Sequence, residues 1–149
     1  MIMFRIIQNK LIYKKIRISF KNTVETAGFI KNRTLSSAKK LIYQILTKKK
    51  CIIFKKYNTG LGRVPKPNDL RNYHNQGRYP IKSCMLLLNL IKNIEKINNI
   101  KQEESSYIVI DNIIVNKTGK YIRKRNSAFG KILRIKSSVC SLKIQISSL

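Results

Sequence analysis

The sequence predicts an α+β domain in which helices pack on a small antiparallel sheet and a long β-hairpin projects from that sheet. Three observations carry this reading. Two β-like runs stand near the C-terminal end: YIVIDNIIV from Tyr107 to Val115, and LKIQI ending at Ile146. Between them, YIRKRNSAFGKILRIK (Tyr121 to Lys136) is crowded with Lys and Arg, has Gly130 near its middle and holds no acid. Upstream, one helix-capping signal and two stretches with helical apolar spacing mark three helices.

Composition bounds what such a domain can do. The 149 residues suffice for one domain with a modest core. Lys and Arg number 32 against 6 acids, a formal charge of +26. Self-repulsion at that charge favours an anionic partner. Nucleic acid is the leading candidate, because phosphate neutralisation drives such binding, and an anionic membrane is the second. Cys51, Cys84 and Cys140 are odd in number and far apart, which points to reduced thiols in a cytosol-like compartment.

Taken in order, residues 1–15 read as an N-terminal extension, with an organelle presequence as the alternative. The segment is apolar and basic, but too short and too charged to span a membrane. Residues 16–149 read as one domain. Tyr13 to Phe20 alternates imperfectly and suits a short strand or extended arm. Asn22 and Thr23 are capping types, and Glu25 follows Asn22 by three, as in a capping box. That predicts a first helix running to about Ile30. A second helix starts at Ser36, with Ala38, Leu41, Ile42 and Ile45 on one face and Lys48, Lys49 and Lys50 at its end. CIIF (Cys51 to Phe54) reads as a short apolar piece docked along the core.

Residues 55–80 show no periodicity and carry Gly60, Gly62, Gly77, Pro65, Pro67 and Pro80, so they predict a long basic loop. Loops of this length are usually functional or disordered. Here Arg63, Lys66, Arg71 and Arg78 alternate with Tyr57, Tyr73 and Tyr79. Cations suit phosphates, and aromatics suit unpaired bases. Pro80 fits the first turn of a third helix, Ile81 to about Asn98. Its stripe is Cys84, Leu87, Leu88, Ile91, Ile94 and Ile97, widened by Leu86 and Leu90. KQEESS from Lys101 predicts a turn.

In the sheet, Leu142, Ile144 and Ile146 alternate with Lys143, Gln145 and Ser147, so one face is buried and one wet. Tyr107 to Val115 is apolar on both phases, which predicts a central strand covered by the third helix. Between Lys117 and Lys136 the buried-face pattern fades, and arms of roughly eight to ten residues would extend about 25–35 Å. The candidate RNA-binding residues are Arg17, Lys21, Lys55, Lys56, Arg63, Lys66, Arg71, Arg78, Tyr79 and Lys82, with Lys117, Lys120, Arg123, Lys124, Arg125, Lys131, Arg134 and Lys136 on the hairpin.

The ordered set RISFKNTVETAGFIK at Arg17, AKKLIYQIL at Ala38, FKKYNTGLGR at Phe54 and NQGRYPIKSCMLLLNLIKNIE at Asn75 resembles one family. The likeness continues through YIVIDNIIVNKTGKYIRKR at Tyr107, SAFGKI at Ser127 and the ending SSVCSLKIQI. The family is the universal large-subunit ribosomal protein, numbered twenty-two in bacteria and seventeen in the eukaryotic cytosol. The likeness covers about residues 16 to 147. Its FKNT–ETA start and long GRY-P loop look archaeal or eukaryotic. The resemblance implies three helices on a three-stranded antiparallel sheet with a protruding hairpin. It also implies a structural role in the large subunit: binding its rRNA, supporting assembly and lying beside neighbouring ribosomal proteins and exit-site factors. The implied tunnel-lining tip is Arg123, Lys124, Arg125, Asn126, Ser127, Ala128, Phe129, Gly130 and Lys131, facing the nascent polypeptide. The implied setting is a cytosolic-type ribosome. This chain departs from the family at Ser127 and Lys131, where Arg is usual, so neither position offers a planar guanidinium.

Other functions fit the residues less well. His74, the single histidine, lies in the basic loop, the acids are scattered, and no nucleophile–base–acid set can be assembled. No Cys pair has metal-ligand spacing, and Gly60 and Gly62 lack the Lys and Ser or Thr of a phosphate loop. The reading therefore includes no catalysis, metal, cofactor or membrane insertion. A free RNA- or DNA-binding protein is the remaining alternative. It would share the charge but not the resemblance along the chain.

Overall fold

The computed structural model describes residues 4–7, 10–64, 76–100 and 108–148. Along the chain lie β1 (Phe4–Ile7), β2 (Lys10–Ile16), α1 (Phe20–Ile30), β3 (Arg33–Thr34) and α2 (Leu35–Leu46). They are followed by β4 (Ile52–Ile53), β5 (Gly77–Arg78), α3 (Ile81–Ile100), β6 (Ile108–Asn126) and β7 (Ile132–Ser148). The α+β class with three helices and antiparallel sheets is as expected. The three-stranded sheet is not. The main sheet has five strands in the order β1-β2-β7-β6-β3, and β4 with β5 forms a separate pair.

The two strands beyond the expected three are β1, from the N-terminal segment, and the two-residue β3, which pairs with β6 (Arg33 with Ile110, Thr34 with Val109). Residues 10–16 pair antiparallel with β7 (Leu11 with Ile144, Tyr13 with Leu142, Ile16 with Cys140), and β1 pairs with β2. Without β2, β7 would present an open edge, which β-sheet proteins usually cover. The strand expected over Tyr13 to Phe20 accordingly ends at Ile16, and Phe20 already begins α1.

Helices occupy one face of the sheet. Ile30, Leu35, Ile42, Ile45, Leu87, Leu90, Ile91, Ile110, Leu142 and Ile144 are fully buried between the layers. In β7 the expected alternation holds: Leu142 and Ile144 face the core, while Lys143 and Gln145 are half-exposed. The helix against β6 is α1 rather than α3, which packs on α2 and α1 instead. Thr23 Oγ1 and Ser83 Oγ, 3.1 Å apart, join α1 to α3, and Lys39 meets Glu95 at 2.7 Å between α2 and α3.

Glu25 does not close a capping box. Ser19 is the N-cap of α1 and makes no side-chain cap. Glu25 is buried one and a half turns further on. Its carboxylate accepts the backbone N–H groups of Lys55 (3.1 Å), Lys56 (2.9 Å) and Tyr57 (2.8 Å). A buried carboxylate is tolerated when several donors satisfy it, and this one fixes the start of the basic loop to α1. α2 begins one residue earlier than expected, with Thr34 Oγ1 accepting from the Ser37 N–H at 3.4 Å. The CIIF piece becomes β4, pairing Ile52 with Arg78 and Ile53 with Gly77. Gly77 is required there, because a Cβ at that position would stand 2.7 Å from the Ile52 carbonyl oxygen.

Candidate nucleic-acid interface

The dominant exposed feature is the distal part of the β6–β7 ladder. Pairing continues to Asn126 opposite Ile132, and every residue from 116 to 136 is exposed. At about 3.3 Å per residue, the arm from Asn116 to Asn126 is about 33 Å long. At its end, Ser127 N–H donates to the Lys131 carbonyl at 2.8 Å. Phe129 (φ 57°) and Gly130 (φ 67°) are both left-handed. Glycine takes that conformation freely, whereas phenylalanine does so at a cost. The Phe129 ring is 97% exposed at the extreme end of the turn.

Cross-strand register assigns the hairpin cations to two faces, because directly paired residues share a side of the ribbon. Arg123 pairs with Ile135 and Arg125 with Leu133, on the side of Tyr121. Lys124 pairs with Arg134, Lys120 with Ser138 and Ile122 with Lys136, on the other side. Each face thus mixes cations with apolar side chains. Arg17 stands over the Tyr121 ring at 4.4 Å, a cation–π contact between the hairpin root and the segment before α1.

The other candidates spread around the body. Lys21 and Lys56 are exposed, each with Nζ 5.8 Å from the Tyr57 ring. Lys55, Arg78 and Lys82 are exposed, and Tyr79 is half-buried against the core. Arg63 is exposed and bridges to Gln76. Lys66 and Arg71 lie outside the described residues, as do Tyr73 and His74. The structure therefore brings Lys21, Lys117, Lys120 and Lys136 together at the hairpin root, whereas Arg63, Arg78 and Lys82 do not line that cleft.

A second basic concavity was not read from the sequence. It is a cavity of 530 Å³ further along α1 towards its C-terminal end, lined by Glu25, Phe29, Lys31, Arg33, Lys55 and Lys56 among others. Arg33 and Lys50 stand 5.5 and 5.9 Å from the Phe29 ring. The one local hint is the Lys48–Lys50 run. Phe29 and Arg33 meet only because α1 stops at Ile30 and the chain turns at Asn32 (φ 60°).

The thiols are chemically quiet. Burial pushes Cys84 up to about 12 and also raises Cys51 and Cys140, against the smaller opposing pull of Lys50 and Lys117 respectively. Among the described residues, no group of His, Cys, Asp and Glu side chains could hold a metal ion, and no helix is long and apolar enough to cross a membrane.

Comparison with known proteins agrees with this geometry. The family model described as Ribosomal protein L22p/L17e matches residues 11–147. Large ribosomal subunit protein uL22 of Theileria parva is 34% identical over 129 residues, covering 87% of this chain and 68% of that protein. The uL22 proteins of Zea mays (32% over 138 residues, 93% and 80%) and Podocoryna carnea (35% over 132 residues, 89% and 71%) are similar over comparable spans. With a family match that runs from β2 to the end of β7, the chain belongs to the ribosomal protein L22p/L17e family.

Proposed function

We propose that the chain is a structural constituent of the large ribosomal subunit of a cytosolic-type ribosome. It binds large-subunit rRNA, supports the folding of that RNA during assembly and lies among neighbouring ribosomal proteins. Its role is architectural rather than catalytic. The observation that carries the reading is the ribbon from 116 to 136, exposed throughout and free of acid. A two-stranded ribbon is marginal in water, and its Lys and Arg side chains are matched to phosphate. The tip, Arg123 to Lys131, is proposed to line the nascent-peptide exit tunnel, close to exit-site factors at the subunit surface. The FKNT–ETA and GRY-P segments support the cytosolic type.

Deleting Arg123 to Gly130 from a tagged chain tests the proposal. The expected result is an unchanged melting temperature of the free protein, together with defective subunit assembly or altered nascent-chain stalling. The intact chain is expected to sediment with the large subunit at high monovalent salt. Release by salt would favour a peripheral nucleic-acid binder. Normal subunit yield with unchanged stalling would remove the tunnel role.

A further inference from the structure

Lys117 and Lys120 are three residues apart on β6, and in a regular strand they would face opposite sides. They do not, because the register slips between Lys117 and Gly119 and leaves Thr118 unpaired. Lys117 therefore pairs with Cys140 and Lys120 with Ser138. Cys140 and Ser138 are two residues apart on β7, so both lysines lie on one face, and Lys136 lies on it too. Bulges commonly re-aim side chains in this way. Thr118 Oγ1 fastens this one by donating to the Val139 carbonyl at 3.2 Å.

That face looks towards the start of α1. Ser138 Oγ donates to the Ile18 carbonyl at 2.7 Å and accepts from the Phe20 N–H at 3.2 Å. Cys140 Sγ donates to the same Ile18 carbonyl at 3.4 Å. The result is a cleft of 310 Å³ between α1 and both arms of the hairpin. Its lining contains Lys21, Lys117, Lys120, Lys136 and the hydroxyl-bearing Ser19 and Ser137, and no carboxylate. Ammonium groups gathered in one concavity repel one another, and lysine's rotatable donors suit a phosphate approached from several directions.

We infer that this cleft is a phosphate-binding site in which RNA backbone bridges α1 to both arms and sets the direction of the hairpin relative to the body. The bulge-aligned lysines, rather than the helix end, define it. The inference rests on the RNA-binding reading and assigns that reading a specific, built contact at the root.

The test is an NMR titration of the ¹⁵N-labelled full chain with inorganic phosphate, with chloride at equal ionic strength as control. A second arm uses a short RNA duplex. The amides of Phe20, Lys21, Ser137 and Ser138 are expected to shift saturably with phosphate and not with chloride. A K120Q/K136Q double variant should weaken that binding by about tenfold or more, whereas K92Q/K96Q on the exposed side of α3 should leave it unchanged. The RNA duplex should shift the same amides and be displaced from them by phosphate. Linear shifts shared with chloride, or wild-type affinity in K120Q/K136Q, would overturn the site. Saturable phosphate binding with no response to RNA would overturn the bridging role. Because no ribosome is involved, failure of subunit incorporation would leave a positive titration standing.

Discussion

In the body half of the β6–β7 ladder, Ile108, Ile110, Leu142 and Ile144 are buried beneath the helices. In the distal half, on the same two strands, Tyr121, Ile122, Ile132, Leu133 and Ile135 stand exposed. The antiparallel pairing runs through both halves, interrupted only by two register shifts. Backbone hydrogen bonds contribute little net stability, because water satisfies the same groups in the unfolded chain. Burial of apolar surface makes the difference. The body half is a folded core, whereas the distal half is an ordered ladder that lacks a second layer, and the proposed RNA would supply that layer.

The sharpest way to break this contrast is to truncate the same side chain in both halves. Ile144→Ala is expected to lower stability by about 2–5 kcal/mol in urea denaturation, the cost of a cavity in a close-packed core. Ile132→Ala is expected to change it by no more than about 0.5 kcal/mol. Similar losses at the two positions would mean that the distal arms pack on the body, and the contrast would fail.

A smaller effect tests how the body half holds its basic loop. Glu25→Gln keeps the size of the side chain but replaces an ionised acceptor of three N–H bonds with an amide that has a single acceptor oxygen. The expected loss is about 1–3 kcal/mol. It should be accompanied by faster hydrogen exchange at Lys56 and Tyr57 and no change at the hairpin tip. Faster exchange at the tip as well would show that the two halves are coupled more tightly than their burial implies.

The same division separates what the sequence revealed from what it hid. The helix stripes were legible because they depend on spacing alone: Ala38, Ile42, Ile45, Cys84, Leu87, Leu88, Ile91 and Ile94 are all buried as read. The fading of the buried pattern near Lys117 located the exposed ribbon for the same reason. Contacts between distant residues were hidden. Asn22 and Glu25 imitate a capping box locally, yet the partners of Glu25 lie about thirty residues away. β2 carries no clean alternation, and its place is set by β7 at the other end of the chain. β4 and β5 are two residues each, too short to show any period. The lysine cleft at the hairpin root depends on a one-residue bulge, which composition does not reveal.

The smallest expected change in stability carries the most information about the distal half. Arg123 and Arg125 share one face of the ribbon, and Lys124 and Arg134 share the other. Neither R123Q/R125Q nor K124Q/R134Q removes a buried contact, so each should keep the melting temperature within the equivalent of about 0.5 kcal/mol, with relief of like-charge repulsion acting slightly in favour of folding. Their effects on RNA binding distinguish two geometries. If RNA surrounds the ribbon, each double variant should flatten the dependence of log affinity on log salt by about 1–2, one increment for each lost phosphate contact. If RNA lies along one side only, one variant should flatten the slope and the other should leave it unchanged. The first outcome fits a hairpin threaded through folded RNA, which is what a tunnel-lining tip requires. The second describes a ribbon resting on an RNA surface, and a tip in that position would not reach the tunnel.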